Sequence, residues 1–81
     1  MITITIKCFS QVKYALGADS LVLELEKDST VNQLEKLIRK KASGKLDDIN
    51  LRVAVNKKYS IANKILKNGD EVAFIPPVQG G

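Results

Sequence analysis

The strongest constraint on this chain is one apolar stripe at helical spacing. After Asp28-Ser29-Thr30, the residues Val31, Leu34, Leu37, Ile38 and Ala42 recur at i, i+3 and i+4, which places them on one face of a helix. Thr30 followed by Gln33 fits a capping box, in which each side chain satisfies the other residue's unpaired N–H. Glu35 and Arg39 form an i,i+4 pair of favourable order, worth about 0.2–0.5 kcal/mol. Lys40 and Lys41 fall where positive charge suits the helix dipole, and Ser43-Gly44 is expected to end the helix. Such a stripe needs an apolar surface to cover, and the rest of the chain supplies strands.

Residues 2–8 alternate with period two: Ile2, Ile4, Ile6 and Cys8 on one side, Thr3, Thr5 and Lys7 on the other. That predicts a strand with one buried face. Residues 9–17 hold Phe9, Val12 and Leu16 at helical spacing, with Ser10 a candidate cap and Gly17 a candidate stop. Leu21, Leu23 and Leu25 alternate with Val22, Glu24 and Glu26, giving a second strand with an acidic outer face that can pair antiparallel with the first. Leu46 and Ile49 anchor a loop. Residues 51–55 make a third strand, Asn56-Lys57-Lys58 a turn, and residues 59–61 a short edge strand. Ile65 and Leu66 pin a turn before Asn68-Gly69-Asp70. Residues 71–75 make the last strand, with Val72 and Phe74 on one face and Ala73 and Ile75 on the other. The order β-β-α-β-β-β, with one main helix covering one face of a mixed sheet, predicts an α+β fold of the ubiquitin-like β-grasp layout.

Composition narrows the chemistry. There is no histidine and one cysteine, Cys8, so this chain by itself carries no zinc site, Ser-His-Asp triad, Cys-His pair or internal disulfide. Cys8 falls on the inward face of its strand and reads as a small buried hydrophobe. No run approaches the roughly 20 apolar residues of a membrane span, and residues 1–8 lack the shape of a signal peptide, so a cytoplasmic protein is expected. The net charge of +4 gathers in Lys36, Arg39, Lys40, Lys41 and Lys45, and in Lys57, Lys58, Lys64 and Lys67. Only Tyr59 lies near a basic pair, which argues against nucleic-acid binding and leaves solvated faces or an acidic protein partner.

The chemistry is expected at the end of the chain. Residues 1–75 are read as the domain and residues 76–81 as an extended, flexible tail. Pro76 and Pro77 stop the strand, and Ile75 is held extended by the proline that follows it. Gly80 and Gly81 have no Cβ and fit a narrow channel. Residues 76–81 span about 20 Å when extended, at roughly 3.3–3.6 Å per residue. That length carries the Gly81 carboxylate into another protein's pocket. A frayed end would be more polar than Ile75-Pro76-Pro77-Val78.

Two stretches carry a family resemblance: Arg52-Val53-Ala54-Val55-Asn56, and Leu66-Lys67-Asn68-Gly69-Asp70-Glu71-Val72-Ala73 running on into Phe74-Ile75-Pro76-Pro77-Val78-Gln79-Gly80-Gly81. They resemble the MoaD-like small subunits of molybdopterin synthase, in the ubiquitin-like β-grasp superfamily. Gln79 stands where that family has a small serine, and Cys8-Phe9-Ser10 where it more often has Tyr-Phe-Ala.

The resemblance implies a sulfur carrier in molybdenum cofactor biosynthesis. A ubiquitin-activating-like adenylyltransferase using ATP and magnesium adenylates the Gly81 carboxylate, and a sulfur donor converts it to a thiocarboxylate. The tail segment Phe74, Ile75, Pro76, Pro77, Val78, Gln79 and Gly80 inserts into the large subunit. The sulfur passes to cyclic pyranopterin monophosphate, within a heterotetramer of two small and two large subunits. The chain binds no cofactor or metal of its own and has no side-chain catalytic site, the acid–base work falling to partner lysines. The competing readings are a ubiquitin-like protein modifier joined through Gly81, a sulfur carrier of a thiamine-type pathway and, last, a basic nucleic-acid-binding module.

Overall fold

The computed structural model describes residues 1–77. Its elements are β1 (Ile2–Cys8), α1 (Ser10–Leu16), β2 (Ser20–Leu25), α2 (Val31–Lys41), β3 (Arg52–Val55), β4 (Lys58–Tyr59) and β5 (Glu71–Ile75). The five strands form one sheet in the order β2-β1-β5-β3-β4. β1 runs parallel to β5, with Cys8 opposite Phe74, and every other pair is antiparallel, so the sheet is mixed. A parallel pair needs a long crossover, and the stretch containing α2 supplies it. This is the expected β-grasp, with a short additional helix between the first two strands.

The helix stripe covers the sheet as its spacing predicts. Val31, Leu34, Ile38 and Ala42 are buried, and so are Ile2, Ile4, Ile6 and Cys8 of β1, Val53 and Val55 of β3, and Val72 and Phe74 of β5. The core is aliphatic apart from Phe74 and Cys8. Burying one such side chain fully is worth about 1.5–3 kcal/mol. The capping box forms: Thr30 N–H donates to Gln33 Oε1 at 2.8 Å and Gln33 N–H donates to Thr30 Oγ1 at 3.3 Å.

Three local expectations change. Phe9, not Ser10, occupies the N-cap of α1, and no side chain caps it. Ser10 is already inside the helix with φ +50°, because the chain turns sharply out of β1. Phe9 is half-exposed rather than part of an apolar helix face. The end of α2 is as expected: the helix stops at Lys41 with Ala42 as its C-cap, and Ser43 and Gly44, both at positive φ, turn the chain away. Ile65 is half-exposed and forms a lone bridge with Thr30, while Leu66 alone pins the turn.

Arg39, read from sequence as part of a basic cluster, is mostly buried and structural. Its guanidinium donates to Glu35 Oε2 at 3.0 Å, to the Leu46 carbonyl, and to the Ile49 carbonyl at 2.8 Å. One planar fork thus ties the 45–50 loop, whose anchor Leu46 is fully buried, to the helix.

Candidate functional site, the root of the tail

β5 lies in the middle of the sheet, hydrogen-bonded to β1 on one side and β3 on the other. Its two faces have different fates. Val72 and Phe74 point into the core and are fully buried, while Glu71, Ala73 and Ile75 are partly exposed on the outer face. Phe74 was expected among the residues that enter a partner. It cannot serve there, because its ring is enclosed by its own domain and leaving would open the core. Ile75, opposite Arg52 on β3, keeps exposed apolar area. Pro76 is buried and Pro77, the last described residue, is exposed, so the exit from β5 is described as far as Pro77. Val78, Gln79, Gly80 and Gly81 lie outside the described residues.

The strand that carries this exit is anchored at its far end by a polar clamp. Val55 and Lys58 pair across a two-residue turn in which Asn56 (φ +52°) and Lys57 (φ +71°) both adopt the left-handed region, as a type I′ hairpin requires. Asn56 then holds the start of β5. Its Oδ1 accepts from the Glu71 N–H at 2.9 Å, its Nδ2 donates to Asp70 Oδ1 at 2.9 Å, and its own N–H donates to the Glu71 carbonyl at 2.7 Å. The other Asp70 oxygen accepts from the Lys67 N–H at 2.8 Å. Next door, Asn68 Oδ1 accepts from the Thr3 N–H and Gly69 N–H donates to the Thr3 carbonyl, both at 2.7 Å. Sequence reading took Asn56 and Asn68-Gly69-Asp70 for turns alone. The extra signal available was two amides and a carboxylate concentrated in two turns, which are suited to satisfying main-chain donors.

Near the exit, β1 ends at Cys8, opposite Phe74. Burial, and secondarily the Asp19 carboxylate, push the Cys8 thiol above its ordinary pKa. A buried, protonated thiol is a poor nucleophile, so Cys8 serves as packing. Arg52 stacks on the Tyr59 ring with its guanidinium carbon 4.1 Å from the centroid. The lysines of the two basic clusters are all exposed. Among the described residues, no group of three or more Cys, Asp or Glu is placed to hold a metal ion, and no helix is long and apolar enough to cross a membrane.

Among the described residues, the sequence and the fold converge on a central strand, β5, that runs into a buried Pro76 and an exposed Pro77. Comparison with known proteins shows what this chain is similar to. A model described as the ThiS family matches residues 6–81. A Haemophilus influenzae protein named molybdopterin synthase sulfur carrier subunit is 36% identical over 75 residues, covering 90% of this chain and 93% of the relative. A Pyrococcus furiosus structure, named provisionally as molybdopterin converting factor, subunit 1, superposes with a TM-score of 0.87 at 26% identity, covering 96% of this chain and all of that one. A Helicobacter pylori structure, described as a complex of subunits 1 and 2 of molybdopterin-converting factor, shares the fold at TM-score 0.70 and 20% identity, covering 99% of this chain and 100% of that one.

Proposed function

The chain belongs to the ThiS family, and from that premise we propose that it is the sulfur-carrier subunit of a molybdopterin synthase. The observation that carries the proposal is the 36% identity to a named sulfur carrier subunit across nearly the whole of both chains. The geometry of β5 is consistent with it: the strand ends at Ile75, Pro77 is exposed, and the diglycine follows in sequence.

The chemistry proposed for Gly81 follows from what a carboxylate lacks. Its oxygen is a poor leaving group. Attack of the carboxylate on the α-phosphorus of ATP, in a partner adenylyltransferase, yields an acyl adenylate and pyrophosphate. A donor at the sulfide level then attacks the acyl carbon, AMP leaves, and a thiocarboxylate remains. That sulfur is a soft nucleophile, which attacks a carbon of the pyranopterin precursor held in the large subunit, forming a carbon–sulfur bond as a carbon–oxygen bond to that carbon breaks and the oxygen substituent leaves. Water finally cleaves the resulting acyl–sulfur bond, leaving sulfur on the product and returning Gly81 to a carboxylate. Glycine at 80 and 81 keeps side chains out of both partner sites.

The chain's own contribution is mechanical. Ordering a free backbone costs about 1–2 kcal/mol per residue, and Pro76 and Pro77 reduce that cost before docking. Pro76, buried against the domain, acts as the fulcrum of the tail. Ile75 and Pro77 offer the exposed apolar area, and Val78 is proposed to extend it. The ATP and magnesium belong to the activating enzyme, and the assembly proposed is two small with two large subunits. The H. pylori protein, described as a complex of two such subunits, supports a large-subunit partner.

Deletion of Gly81 tests the proposal. The truncated chain is expected to unfold at an unchanged temperature and to support no sulfur transfer with its activating system and large subunit. Full activity of the truncated chain would refute the mechanism.

A further inference from the structure

The sheet has one long open edge, on β2, at the side away from β3 and β4. Hydrogen bonds on β1 establish which groups are free there. Thr5 N–H donates to the Asp70 carbonyl and the Thr3 carbonyl accepts from Gly69, so both threonines turn their main-chain groups toward β5. Main-chain direction alternates along a strand, so Ile2, Ile4 and Ile6 turn theirs toward β2. Their partners Leu25, Leu23 and Leu21 therefore exchange bonds with β1. The N–H and C=O groups of Ser20, Val22 and Glu24 face outward, with no strand beside them among the described residues.

Natural sheets protect such edges with proline, lysine, a bulge or a very short strand. β2 has six residues, contains neither proline nor lysine, and pairs with β1 in unbroken register. Its two faces set a chemical requirement. On the helix side, Leu21 and Leu23 are only half-buried and leave apolar area at the rim of the core. On the outer side, Val22 is 66% exposed, and Glu24 sits opposite the uncharged Thr3. Neither Glu24 nor Glu26 has an ion-pair partner among the described residues. On a chain of net charge +4, this is a local acidic strip.

We propose that the β2 edge docks an extended, cationic segment of a partner protein as a sixth strand. Main-chain bonds to Val22 and Glu24 hold the segment. Apolar residues of the segment meet Leu21 and Leu23, and alternate lysines or arginines meet Glu24 and Glu26. A second copy pairing edge to edge through β2 supplies no cation to Glu24 or Glu26, because β2 carries neither lysine nor arginine. The site is separate from the tail, and its test requires no sulfur chemistry.

The test uses the full chain, isotope-labelled for NMR, and two capped hexapeptides, one alternating valine with lysine and one alternating valine with glutamate. The lysine peptide is expected to shift the Val22 and Glu24 amides, slow their hydrogen exchange, and bind about tenfold tighter than the glutamate peptide at low salt. Val22→Pro removes an outward donor without touching the β1 ladder, and should abolish binding while thermal unfolding stays cooperative. Should that variant misfold, Glu24→Lys gives an independent reading, because it should move the preference toward the glutamate peptide. Shifts confined to another surface, equal binding of the two peptides, no binding of either, or an unchanged preference in Glu24→Lys would each overturn the proposal.

Discussion

Replacing Phe74 with alanine separates scaffold from docking surface on a single strand. Phe74 is fully enclosed, opposite Cys8 and Val53 on the two neighbouring strands. Truncating a buried phenylalanine costs about 3–5 kcal/mol through lost transfer energy and the cavity left behind. A domain of this length has a total stability of about 4–12 kcal/mol, so the substitution removes a large share of it. At about 4–8 °C per kcal/mol for a domain this small, the melting temperature should fall by at least about 12 °C. Ile75, one residue on, is half-exposed on the opposite face, and Ile75→Ala should cost only about 1 kcal/mol. Its principal effect should be on affinity for the large subunit. Circular dichroism melts with urea titrations give both stabilities, and calorimetric titration with the large subunit gives the affinity. A loss below about 1 kcal/mol for Phe74→Ala, with a larger one for Ile75→Ala, would show that the faces of β5 have been assigned backwards.

Three further substitutions test the supports of that strand and helix. Asn56→Ala removes two side-chain hydrogen bonds at the start of β5 and a residue suited to φ +52°, and should cost about 1–3 kcal/mol in a urea titration. Thr30→Ala deletes the cap of α2 and should cost about 1 kcal/mol. Arg39→Lys should speed amide exchange at Ile49 and neighbouring residues, because one ammonium cannot replace three guanidinium contacts. For Cys8, burial raises the folded-state pKa, so the stability the thiol confers is intact below its unfolded pKa and is lost as pH rises from there through the folded value. Alkylation at mildly alkaline pH should accordingly be slow in the folded chain and fast in urea.

The fold was legible because two periodicities are clean. The stripe from Val31 to Ala42 and the alternation from Ile2 to Cys8 each allow one buried face, and covering one with the other leaves little choice of architecture. Interactions between segments distant in sequence were not legible. Periodicity records which side of an element is apolar, but not that Asn56 reaches Asp70 and Glu71, or that Arg39 reaches the carbonyls of Leu46 and Ile49. A charged residue at a helix end looks alike in sequence whether it faces solvent or a loop. Phe74 illustrates the same limit at the site. Its place beside Ile75-Pro76-Pro77 suggested one continuous docking segment, whereas the two-residue repeat of a strand sends Phe74 inward and Ile75 outward. The end of β5 at Ile75 was readable from the paired prolines, and the family from the motif that closes on the diglycine.

The central claim is that the reactive group is the end of the main chain. Its most direct test is the intact mass of the chain after incubation with its activating enzyme, ATP and a sulfur donor. The account predicts a gain equal to exchanging one oxygen for sulfur, localised by fragmentation to Gly81 and absent when ATP is withheld. An unchanged mass, or sulfur found on Cys8 instead, would contradict it.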